Sequence, residues 1–76
     1  MVHAFIMVKT GPGTSEQIVE SVRGLANIGE AHVVAGAYDI IAEADAEAVY
    51  EILNASSNEI QGLTGVTDTK TYIAMD

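Results

Sequence analysis

The sequence predicts an α+β fold of the ferredoxin-like kind: element order βαββαβ, a four-stranded antiparallel sheet with two helices on one face, dimerising through the sheets. Three observations predict it. Runs of β-branched and apolar residues open and close the chain, two stretches repeat apolar residues at helical spacing, and two extended runs meet in the middle with almost no loop.

Strand 1 is "VHAFIMVK" (2–9), ended by the turn residues "TGPG" (10–13). Thr14 then opens helix 1 with Gln17 three residues later, a capping-box pattern that can satisfy two unpaired N–H groups. Ile18, Val19, Val22, Leu25 and Ala26 give that helix its apolar face, and it is expected to end near Asn27 to Gly29. "EAHVVAG" (30–36) and "YDIIAEA" (38–44) read as strands 2 and 3 of a hairpin joined tightly at Gly36-Ala37. Asp45 is placed as the N-cap of helix 2, whose apolar side is Ala48, Val49, Ile52, Leu53 and Ile60. "QGLTG" (61–65) breaks it, and Val66 to Met75 is the last strand. In that strand Thr67, Thr69 and Thr71 share one face, with Asp68, Lys70 and Tyr72 on the other.

Strand 1 poses a packing problem. Val2, Ala4, Ile6 and Val8 alternate with Phe5 and Met7, so the strand is apolar on both faces although two helices cover only one. A monomer would expose an apolar patch of several hundred Å², and covering it is worth roughly 10 kcal/mol at about 25 cal/mol per Å², before the costs of association. An obligate dimer or larger assembly, packed sheet on sheet, is therefore expected.

Composition narrows the function. The chain has 76 residues, eleven acidic and three basic, for a formal net charge of −8, which opposes direct binding to a nucleic-acid backbone. It has no cysteine, so thiolate metal sites and disulfides do not arise. The N-terminal stretch lacks a basic n-region and is too short to span a bilayer, so a cytoplasmic location without membrane contact is expected.

The polar residues offer few chemical constellations. His3 and His32 have no partner at metal-ligand spacing and read as sheet-surface or interface residues, so neither a metal nor a cofactor is expected. "GPG" at 11–13 lacks the lysine and glycine spacing of a phosphate loop and reads as a turn. Glu43, Asp45, Glu47 and Glu51 read as a solvated helix face whose first turns complement the dipole. In "GAYD" (36–39), Gly36 could take positive φ and expose backbone N–H groups to a small ligand, and Asp39 could accept from an ammonium group; an ordinary turn explains the same residues.

"EAHVVAGAYDIIAEA" (30–44) and "GLTGVTDTKTYIAMD" (62–76) together resemble the effector (RAM) domain of the Lrp/AsnC feast/famine transcription regulators, through Gly-x-Tyr-Asp at 36–39 and Gly-Val-x-Asp-Thr-x-Thr at 65–71. The resemblance covers the whole chain. It implies a βαββαβ domain that dimerises through its sheets, assembles into higher oligomers such as octamers, and binds amino acids or related small effectors between dimers. Carried over by position, it implies that Gly36, Ala37, Tyr38, Asp39, Thr69 and Thr71 contribute to the effector pocket. Regulators of this kind carry an N-terminal helix-turn-helix domain, whereas strand 1 here begins at residue 2, so a single stand-alone domain over 1–76 is expected. Such a domain would act on transcription indirectly, through its effector or by joining full-length regulators. Two other readings stay open: a cofactor-free enzyme on a dimeric ferredoxin-like fold, for which no nucleophile and base pair is visible, and a structural adaptor that binds no ligand.

Overall fold

The structure, a computed structural model, describes the backbone of residues 1–76 and every side chain except that of Ser57. Its elements are β1 (Val2–Thr10), α1 (Ser15–Arg23), β2 (Ile28–Val33), β3 (Ile40–Ala46), α2 (Val49–Asn54), which runs on into a π-helical stretch (Ala55–Ile60), and β4 (Val66–Ile73). The four strands form one antiparallel sheet in the order β2-β3-β1-β4. The predicted βαββαβ order, antiparallel sheet and helices on one face are the ones observed.

Side-chain alternation divides the sheet into two unlike faces. Ala4, Ile6 and Val8 of β1 and Ile40, Ala42 and Ala44 of β3 are fully buried beneath the helices, where they meet Ile18, Val19, Val22, Ile52 and Ile60. Small residues dominate this face of β3, so the helix backbones can approach the sheet closely while the isoleucines and valines fill the space between. The opposite face carries no helix. Its cross-strand rows are fixed by register: His32, Ile41, Met7 and Lys70 in one, Glu30, Glu43, Phe5 and Tyr72 in the next, and Asp45 beside His3 in the third.

Several boundaries differ from the sequence expectation, each for a local reason. Helix α1 stops at Arg23, not at Asn27–Gly29; Gly24 and Leu25 turn back on the carbonyls of Ser21 and Val22, and Asn27 takes the left-handed conformation, φ 72°, that lets Ile28 start β2. Arg23 ties this turn down by donating from Nε to the Ala31 carbonyl at 3.0 Å. The capping box at Thr14 does not form, because the Thr14 hydroxyl donates instead to the Gly11 carbonyl at 2.8 Å within the preceding turn.

Strands β2 and β3 are shifted relative to the predicted hairpin. β2 ends at Val33 and β3 begins at Ile40, so residues 34–39 form a wider connection in place of the tight Gly36-Ala37 turn. Asp45 is not an N-cap: β3 runs through it to Ala46, paired with His3 and Val2 of β1, and Ala48 caps α2 with its N–H donating to Glu51 Oε1 at 3.1 Å. The later start and the π-helical stretch turn the buried stripe onto Ile52, Ala55, Ser56 and Ile60. Val49 and Leu53, expected in the core, are 44% and 48% exposed.

Two glycines close the end of the sheet nearest α1. Gly11 N–H donates to the Gly65 carbonyl at 2.8 Å, and Gly65 has φ +101° with its Cα against α1, where an added Cβ would lie 2.9 Å from Ile18 Cδ1. Gly13 has φ +75° but open space around it. Gly65→Ala should therefore lower the free energy of unfolding by about 2–3 kcal/mol and Gly13→Ala by only about 1 kcal/mol, measured by urea denaturation.

Candidate functional site

The connection 34–39 is anchored at one end and open at the other. Val34 N–H donates to the Asp39 carbonyl at 2.8 Å, and Asp39 N–H donates to the Val8 carbonyl at 3.0 Å. The Asp39 carboxylate accepts the Thr10 N–H at 2.9 Å, so one of its oxygens is committed to holding the loop against the end of β1. Ahead of this anchor the loop arches over a cavity of about 290 Å³ lined by Met7, Val34, Ala35, Gly36, Ala37, Tyr38 and Ile41. Its walls are mostly apolar. Lys9 stands beside it, donating from Nζ to the Ala37 carbonyl at 2.9 Å and lying 5.9 Å from the centre of the Tyr38 ring.

Gly36 does not use positive φ, which among the described residues belongs to Gly13, Gly65 and Asn27. What it supplies is room: a Cβ built there meets nothing within 4 Å. Of the six residues singled out from the sequence, Gly36, Ala37 and Tyr38 line this cavity, and Asp39 supports it from behind.

Thr69 and Thr71 lie elsewhere within the chain. They pair with Val8 and Ile6 and so share the helix-covered face, on the edge strand β4, whereas Met7 and Ile41 of the cavity belong to the open face. The Thr69 hydroxyl accepts from Gln61 Nε2 at 2.6 Å. One chain does not bring these threonines to the 34–39 loop. Lys9, Met7 and Ile41 were not anticipated as site residues, although the odd-numbered alternation of β1 is a signal that places Met7 and Lys9 on the open face.

A second group of side chains occupies the far end of that face. His3 sits between two carboxylates of β3, Nδ1 at 2.6 Å from Asp45 Oδ1 and Nε2 at 3.3 Å from Glu43 Oε1. The imidazole also meets the Phe5 ring edge-on, with centroids 5.0 Å apart. Glu43 and Asp45 are thus strand residues facing His3, not part of a helix surface as the sequence suggested. The hydrogen bond to Asp45, with the charges of Asp45 and Glu43, raises the His3 pKa above its ordinary value, against a smaller opposing effect of desolvation. Among the described residues, no group of three His, Cys, Asp or Glu side chains could hold a metal ion, and no helix is long and apolar enough to cross a membrane.

Comparison with known proteins agrees with this geometry at the level of family and fold. The family model described as Lrp/AsnC ligand binding domain matches residues 3–76. Among solved structures, TTHA0845 from Thermus thermophilus superposes with a TM-score of 0.95 at 26% identity, covering 100% of this chain and 95% of that one. The E. coli AsnC structure superposes at 0.89 with 20% identity, and the Neisseria meningitidis transcriptional regulator NMB0573, solved as a complex with L-Met, at 0.86 with 17% identity. Each of these two alignments covers 99% of this chain but only about half of the regulator, 51% and 50% respectively. No curated protein matches the chain significantly.

The His3 cluster yields a signed expectation. With its pKa raised in the folded state, His3 contributes stability that is complete below the unfolded value of 6.5 and is lost as pH rises through the higher folded value. NMR titration of the His3 ring should give a midpoint above 6.5 that falls in Asp45→Asn, and an unchanged midpoint in that variant would remove Asp45 as the main cause.

Proposed function

The chain belongs to the Lrp/AsnC ligand-binding domain family, and from that premise we propose that it is a stand-alone module that binds an amino acid or a related small effector and assembles with itself. The observation that carries the reading is the cavity of about 290 Å³ beneath the 34–39 loop, whose floor of Met7 and Ile41 is part of the uncovered sheet face. A concave, mostly apolar wall with a few polar groups at its margin is the usual form of a small-molecule site. Lys9 Nζ and the loop backbone are available to a carboxylate, and the apolar floor to a side chain.

In this proposal two copies pair through their open faces, dimers assemble further, and the effector is held where dimers meet. Thr69 and Thr71, on the edge strand of one subunit, would then complete a pocket begun by Gly36, Ala37, Tyr38 and Asp39 of another. That arrangement gives the effector leverage. A ligand bridging subunits favours the assembled state by its differential affinity for it, and so shifts the population of assemblies. The module would act in the cytoplasm and influence transcription indirectly, through its own assembly or by joining full-length regulators. The amino-acid complex of the Neisseria relative is a fold-level analogy in support.

Gly36 gives a discriminating test because a Cβ there meets nothing within 4 Å in the folded chain. Calorimetric titration with each common amino acid should reveal one saturable ligand. Its affinity should fall by about tenfold or more in Gly36→Val, with the unfolding midpoint unchanged, and by a similar factor in Asp39→Ala, which also frees the Thr10 N–H. Wild-type affinity in both variants would remove the loop from the site, and absence of any ligand response would leave an adaptor.

A further inference from the structure

His3 is held in a position that its neutral form cannot satisfy. Both ring nitrogens face carboxylates, Asp45 at 2.6 Å and Glu43 at 3.3 Å, and a neutral imidazole has only one N–H. With one proton, either contact turns a nitrogen lone pair toward a carboxylate oxygen. With two, the Asp45 hydrogen bond is charge-assisted and Glu43 faces a cation at ion-pair distance.

The surroundings make this local condition a property of the whole open face. Glu30 stands directly across from Glu43 and contacts His32, at 3.2 Å from Nε2 to Oε1, so like charges already oppose each other beside His3. From β4 the face receives Lys70, Tyr72 and Asp68, and from β1 Lys9. Four carboxylates thus stand against two ammonium groups, an excess of two negative charges that a proton on His3 reduces to one. Phe5 and Tyr72 lie amid these charges, beside the Met7 and Ile41 floor of the loop cavity, an apolar centre and polar rim of the kind found at subunit contacts.

We propose that the His3–Glu43–Asp45 cluster is a proton-operated latch on self-association: protonated, it lets two open faces close on each other, and deprotonated, it sets two unneutralised acidic clusters within the closing interface. The inference rests on the reading that the open face pairs with a second copy of this chain. Closing the faces removes water from the clusters, so repulsion that is screened in the monomer gains weight in the dimer. Phe5 links the two regions, because its ring lies at once in the apolar centre and against the His3 imidazole.

Sedimentation equilibrium over a dilution series, at about pH 5.5 and about pH 8.5 and equal ionic strength, tests the latch. The dimer dissociation constant should be on the order of tenfold larger at the higher pH. His3→Gln should show the weaker association at both values, His3→Arg the tighter at both, and His32→Gln should keep the wild-type difference. If the dimer never dissociates on dilution, exchange of labelled for unlabelled subunits should be on the order of tenfold faster at the higher pH and reads the same linkage. A monomer at every concentration and both pH values would overturn the pairing itself. A dimer with equal constants at both, or a wild-type pH difference surviving in His3→Gln, would overturn the latch and leave the pairing intact.

Discussion

The structure depends on one constraint: β1 lies inside the sheet, between β3 and β4, and is apolar on both faces, while the chain supplies helices for only one. On the helix side Ala4, Ile6 and Val8 are wholly excluded from solvent. On the other side Phe5 is 36% exposed, and Tyr72, its neighbour across the pair, is 54% exposed. The first set of contacts makes the fold. The second leaves an open surface with enough apolar character to be costly in water and enough charge to select what may cover it.

The loop 34–39 takes its shape from the same division. Ile40 must face the core, and the β2–β3 register pairs it with Val33, so the residues between them have to bridge from one strand to the other above the open face. Asp39 makes that bridge definite by spending its carboxylate on the Thr10 N–H and its own N–H on Val8. The cavity beneath it is thus a consequence of strand register. Its floor is the open face, which connects any ligand seated there to whatever packs on that face.

Much of this was legible along the chain. The alternation in β1, the helical spacing of Ile18, Val19 and Val22, and the breaker at 61–65 carry the βαββαβ order, and the Gly-x-Tyr-Asp and Gly-Val-x-Asp-Thr-x-Thr segments carry the resemblance to the family that the match over residues 3–76 shows. Element ends were less legible. Asp45 looks like an N-cap because Asp commonly is one, and only its pairing opposite His3 extends β3 through it. Val49 and Leu53 look like core residues at helical spacing, but the π-helical stretch after Asn54 and the late start of α2 turn them outward.

The sequence by itself determined which residues are apolar at which period, and hence the elements, their order and the existence of a face left uncovered, because these follow from local sterics and from the need to bury a stripe. Tertiary structure alone decided what stands opposite what. That His3 lies between Glu43 and Asp45, that Lys9 reaches Ala37, and that Thr69 and Thr71 are on the far face from Tyr38 are matters of strand register between segments dozens of residues apart. A shift of two residues in pairing would keep each side chain on its face and change every partner, so no local pattern carries that information.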